Sequence, residues 1–99
     1  MVYLNLDIEI INSIQDICKR YNFIEKVIIF GSRARGDNDV KSDIDIAVYS
    51  KKPILEFIED VEMNTRTLLE FDFSHMNSIQ DEFFVEQVTK DGIIIYEKC

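Results

Sequence analysis

The segment that most constrains this chain is Lys26-Val27-Ile28-Ile29-Phe30-Gly31-Ser32, a β-branched run that ends on a glycine-serine turn. Val and Ile are stiff at χ1 and pack well on a pleated surface, so Lys26 to Phe30 reads as a buried strand ending at Gly31. A polar stretch, Ser32 to Ser42, follows, with Gly36, Asp37, Asn38 and Asp39 marking a turn. Ile44, Ile46 and Val48 then alternate with Asp43, Asp45 and Ala47, the period of a second strand.

The remaining segments fall in place around this pair. Ile10, Ile14, Ile17, Cys18 and Tyr21 recur at helical spacing and predict an amphipathic helix over roughly residues 5 to 21. Pro53 stands where another helix would start, with Ile54, Leu55, Ile58 and Val61 as its stripe. Leu69, Phe71 and Phe73 alternate with Glu70, Asp72 and Ser74, giving a third strand with one apolar and one acidic face. Ser78 and Asp81 resemble a capping box ahead of a helix carrying Phe83, Phe84, Val85 and Val88; Phe71, Phe73, Phe83 and Phe84 are all expected in the core. Gly92 closes that helix, and Ile93 to Tyr96 forms a last strand. The order α-β-(turn or short helix)-β-α-β-α-β predicts one α/β (α+β) domain over residues 1–99, a mixed β-sheet flanked by helices.

Composition narrows the function. With 11 Lys+Arg against 19 Asp+Glu, the formal charge is −8, which repels a phosphate backbone and disfavours a nucleic-acid substrate. No apolar run approaches the ~20 residues that a membrane helix needs. Asp7 and Glu9 occupy the place of a signal peptide's apolar stretch, and the two cysteines, Cys18 and Cys99, are too few for a disulfide scaffold. A cytoplasmic protein with reduced thiols is expected. So short a chain does not easily build a deep cleft alone, so a homo- or hetero-oligomer is expected too.

The chemistry concentrates in Phe30-Gly31-Ser32-Arg33-Ala34-Arg35-Gly36 and Ser42-Asp43-Ile44-Asp45. Gly31 lets the backbone approach a ligand, Ser32 adds a hydroxyl, and a helix starting just after it would aim N–H groups at an anion. Arg33 and Arg35 add positive charge, or else serve as surface charges paired with Asp37 or Asp39. Asp43 and Asp45, two apart on a strand, project from the same face. Carboxylates so close repel unless a cation intervenes, and Mg²⁺ takes one or two carboxylates plus phosphate oxygens. Cradle and acid pair together point to a metal-bound nucleoside triphosphate. Asp72, on the polar face of the third strand, could complete a three-carboxylate site; Glu70 on the same face competes for that position. His75, the lone histidine, reads as a surface or loop residue.

At these residues the chain resembles the DNA polymerase β-like nucleotidyltransferase superfamily. Gly31-Ser32, ten intervening residues and Asp43-Ile44-Asp45 match its GSx10DxD signature. The strings GSRARG and SDIDIAV are similar to the minimal nucleotidyltransferase (MNT) group in particular. The resemblance implies that Gly31 and Ser32 hold the β- and γ-phosphates of ATP, with phosphate contact from Arg33 and Arg35. It implies that Asp43 and Asp45 ligate Mg²⁺ and that Asp72 binds metal or acts as general base. An acceptor hydroxyl would attack the α-phosphorus and release pyrophosphate. Domains of this kind pair with a small helical HEPN ribonuclease toxin, so the implied role is an antitoxin that adenylylates a toxin tyrosine. The charge of −8 suits a partner made basic by RNA binding. Two alternatives stand beside it: a nucleotidyltransferase for small molecules such as aminoglycosides, and a non-catalytic antitoxin that neutralises its partner by binding.

Overall fold

A computed structural model describes residues 6–98. Helix α1 (Ile8–Cys18) is followed by strand β1 (Ile24–Phe30), a short helix α2 (Ser32–Arg35), and strand β2 (Ile44–Ser50). Helix α3 (Leu55–Asn64), strand β3 (Phe71–His75), a 3-10 turn (Met76–Ser78), helix α4 (Glu82–Asp91) and strand β4 (Ile93–Glu97) complete the chain. The expected element order is present, including the short helix after Gly31.

The sheet has the order β3-β2-β1-β4 and is mixed, as expected. β1 runs antiparallel to β2 and β4, while β2 and β3 are parallel and joined through α3. The two central strands are buried on both faces, which their β-branched sequences suit. Val27, Ile29, Ile44, Ile46 and Val48 pack with α1 and α3; Ile28 and Ala47 pack on the other face with Met76 and Val88. Ala47, read from alternation as a polar-face position, is fully buried there.

Several boundaries differ from the sequence pattern for identifiable reasons. The Asp7 carboxylate accepts the Glu9 amide and starts α1, and Tyr21 lies beyond its end, where its hydroxyl donates to Asp60 at 2.9 Å. The forecast start at residue 5 lies outside the described residues, as does Cys99. Leu55 is exposed and the buried stripe of α3 runs instead through Phe57 and Val61, with Ile54 at its cap. Phe57 alone removes enough apolar surface from water to contribute about 1.5–3 kcal/mol. The α4 cap is Asp81 itself, which accepts from the amides of Phe83 and Phe84; Ser78 belongs to the preceding 3-10 turn. Phe83 is exposed, against expectation, because the cap turns it outward while Phe84 packs edge-on against Phe30. Phe71, Phe73 and Phe84 pack partly buried against the two clusters. His75 ends β3, its ring Nε2 3.1 Å from the Ser50 carbonyl, a structural contact.

Cys18 is fully buried in α1, and burial pushes its thiol up to about 12, so it stays protonated and inert. Among the described residues no helix is long and apolar enough to cross a membrane. At Gly92, between α4 and β4, an added Cβ would collide with the Val88 carbonyl and the Ile28 side chain. Gly92→Ala should therefore destabilise the fold by about 1–3 kcal/mol, read as a fall in the thermal unfolding midpoint.

Candidate functional site

β1 delivers the chain to Gly31, whose φ of 76° is in the left-handed region that favours glycine. The Gly31 carbonyl accepts from the amides of Ala34 (3.1 Å) and Arg35 (3.0 Å), so the backbone turns into α2 at once. Space demands glycine here as well as conformation: a Cβ would collide with the Asp45 carboxylate. The phosphate-cradle candidate and one acidic candidate are thus in contact, backbone against carboxylate.

Asp45 stands opposite Phe30 in the β1–β2 ladder and opposite Asp72 in the parallel β2–β3 ladder. Cα partners on adjacent strands send their side chains to the same face, so Asp45 and Asp72 are neighbours. Asp43 lies just before β2, beside the ladder's first bond, from the Ile44 amide to the Glu70 carbonyl at 2.9 Å. Extending the register one residue beyond the Ile44–Phe71 pair places Glu70 level with Asp43, one step outside the strand. Burial raises the Asp45 pKa above the usual carboxylate range, and the charges of Asp72 and Asp43 raise it further, with Arg35 opposing. Glu70 is not among the groups acting on Asp45, whereas Asp72 is the foremost charge.

The two arginines separate. Arg33 is buried, and its guanidinium donates to the Ser42 carbonyl through Nε (3.1 Å) and Nη2 (3.0 Å), with a longer contact to Val40. It latches the loop that leads to Asp43. Arg35 is exposed and pairs with Asp37 at 3.2 Å, one of the partners the sequence suggested, and with Asp91 of α4 at 3.9 Å. Asp91 and the Phe30–Phe84 pair, with ring centroids 5.5 Å apart, are neighbours of the site that sequence reading missed. Both depend on α4 folding back across the sheet, and nothing local announces that.

The structure therefore brings Gly31, Asp45 and Asp72 together, with Asp43 and Arg35 close enough to act on Asp45 electrostatically, and Ser32 opens the helix beside them. Among the described residues no three acidic, histidine or cysteine groups form a ready-made metal cage.

Residues 12–99 match the family described as polymerase beta, nucleotidyltransferase. This chain belongs to that nucleotidyltransferase family. Solved structures share its fold. A toxin–antitoxin crystallised with AMP-PNP aligns with a TM-score of 0.67 at 18% identity, over 89% of this chain and 73% of that one. A mutant of the toxin–antitoxin MntA–HpeT, with two aspartate-to-glutamate changes two residues apart, aligns at 0.66 and 16% identity over 89% and 73%. A protein from Sulfolobus solfataricus described as a nucleotidyltransferase aligns at 0.56 and 24% identity over 89% and 77%. Among curated proteins no relative matches.

The raised Asp45 pKa makes a stability prediction. A carboxylate harder to ionise when folded opposes folding above the ordinary carboxylate range, and that cost fades as pH falls through its folded and then its unfolded value. In chelator, Asp45→Asn should raise the melting temperature at neutral pH. The gain should vanish in acid. A lower melting temperature at neutral pH would contradict the repulsion described here.

Proposed function

We propose that this nucleotidyltransferase transfers AMP from ATP, with Mg²⁺, to a tyrosine hydroxyl of a HEPN ribonuclease toxin, and so serves as its antitoxin in the cytoplasm. The observation that carries the reading is the contact of Asp45 with Gly31 while Asp72 stands in register beside it. That places a glycine-serine turn and a carboxylate pair at one point, which a metal-bound triphosphate requires and a solvated acidic face does not.

The residues fit the implied groups. Mg²⁺ demands hard oxygen ligands and usually keeps phosphate oxygens and waters, so Asp43, Asp45 and Asp72 suit it without forming a cage. When bound, the metal would neutralise the triphosphate and the charge that develops on transfer. Gly31 and Ser32 would receive the β- and γ-phosphates through backbone amide and hydroxyl. Arg35, exposed and paired with Asp37 at the surface and more distantly with Asp91, would reach phosphate; Arg33 would act by fixing the Ser42 carbonyl and hence the approach to Asp43. The acceptor oxygen bonds to the α-phosphorus, the bond to the β-phosphate oxygen breaks, and pyrophosphate leaves. Asp72 would take the hydroxyl proton, a task open to an exposed carboxylate at a strand edge.

The protein acceptor is supported by kind rather than by contact. Two of the neighbouring structures are toxin–antitoxin assemblies, one with AMP-PNP and one altered at two aspartates spaced as Asp43 and Asp45 are. The exposed Glu56, Glu59 and Glu62 of α3 and Asp81, Glu82 and Glu86 of α4 suit a basic partner.

Intact-mass spectrometry of the product of the adjacent gene, after incubation with this protein, ATP and Mg²⁺, tests the proposal. The expected result is a gain of one or more AMP units on a tyrosine, abolished by Asp43→Ala or Asp45→Ala without loss of folding. Ser32→Ala should slow transfer about 2- to 10-fold, the worth of one hydrogen bond. Transfer by the Asp43/Asp45 double variant would refute the site. A tight complex with no mass change would establish neutralisation by binding instead.

A further inference from the structure

At the end of the sheet away from Gly31 lies a cavity of about 490 Å³ lined by Lys26, Lys51, Lys98, Asn22, Asn77, Tyr49, Glu25 and Glu97. We propose that this cavity is a second ligand site, for a small phosphorylated molecule that also carries hydroxyl or amino donors. Its position is independent of the transfer site. β1 enters beside it at Glu25 and Lys26 and leaves at Phe30, while β2 leaves beside it at Tyr49. Four residues of extended chain separate Tyr49 from Asp45, about 13 Å.

The charge arrangement points to an anion. Three of the chain's seven lysines border one cavity in a protein of net charge −8. The ion pairs among the described residues use Lys19, Arg20 and Arg35, and none uses Lys26, Lys51 or Lys98. Lys98 donates to the Asn22 carbonyl at 2.5 Å, and the Lys26 ammonium stands 4.7 Å from the centre of the Tyr49 ring. Both ammoniums are thus positioned by neutral groups, and although Glu97 stands opposite Lys26 in the β1–β4 ladder, no carboxylate among the described residues closes an ion pair with either. Asn77 is fixed as well: its Oδ1 accepts the Ser50 amide at 2.8 Å, which leaves its amide nitrogen as a donor.

The two carboxylates decide the ligand class. Glu25 and Glu97 would repel an extended polyanion, as would the net charge, so a nucleic-acid backbone fits poorly. A single phosphate can sit among three ammoniums while the carboxylates accept from hydroxyl or amino groups on the same molecule. The volume is that of a small-molecule site. Nucleoside and sugar phosphates share this chemistry.

An amide-resolved NMR titration of the full chain, in chelator, with inorganic phosphate, ribose phosphate and AMP as separate probes tests the assignment. Shifts should centre on Lys26, Lys51, Asn77 and Lys98, with ribose phosphate or AMP binding more tightly than inorganic phosphate. If both bind tightly the class is nucleotide; if ribose phosphate alone does, it is sugar phosphate. Lys51→Gln with Lys98→Gln, both at exposed positions, should weaken that binding about tenfold or more and leave shifts around Gly31 unchanged. The single Lys51→Gln variant reads the same effect should the pair impair folding. Shifts confined to Gly31–Asp45, affinities indifferent to the lysine changes, or organic phosphates no tighter than inorganic phosphate would each overturn it.

Discussion

The contact between the Asp45 carboxylate and the Gly31 backbone fixes the geometry on which the rest of the site depends. It requires a residue without Cβ at the end of β1, in a left-handed conformation, so that the chain can turn into α2 without displacing the acid. It also requires that β1 and β2 hold their register, because a slip of one residue would send Asp45 to the opposite face. Burial supplies that register. Val27, Ile29, Ile44, Ile46 and Val48 are all fully buried against α1 and α3, and a slip of either strand would turn its share of them onto the α4 face, where Ile28 and Ala47 already pack.

A cluster of like charges is tolerable only on such a support. Asp45, Asp72 and Asp43 repel, and burial of Asp45 adds to the cost. Left on a loose loop, these carboxylates would move apart and relieve the strain. Here Asp45 and Asp72 sit on hydrogen-bonded neighbouring strands, and the segment before Asp43 is held by Arg33 through the Ser42 carbonyl. The free energy of repulsion is thus held in a rigid frame that does not let the carboxylates move apart.

How much of this the sequence disclosed follows from the range of the interactions. The strands were legible because β-branched runs and alternation are local, and the acid pair and glycine-serine turn because their spacing along the chain is itself the signal. The neighbouring of Asp72 and Asp45 was legible only as a possibility: it depends on a parallel pairing made through α3, and Glu70 satisfied the same alternation. Phe57 was passed over for Leu55 although Ile54, Phe57, Ile58 and Val61 keep the helical spacing; Phe83 was placed inside because periodicity does not rank it against its neighbour Phe84. The docking of the other faces ranks them. Asp81 displaced Ser78 as the α4 cap because Ser78 itself ends a 3-10 turn, a local geometry that a spacing rule does not register.

Arg33 and Arg35 show the same limit where it bears on chemistry. Two residues apart in one motif, they carry equal charge and read alike. On the short helix α2 they diverge: one guanidinium is buried and committed to backbone carbonyls, the other exposed in contact with Asp37 and Asp91. The exposed pair with Asp37 contributes little to stability and holds Arg35 only loosely. Withdrawing Arg33 would strand the Ser42 carbonyl and loosen the approach to Asp43. Arg35 therefore acts on Asp45 by its charge, while Arg33 acts on the same site through the backbone it holds.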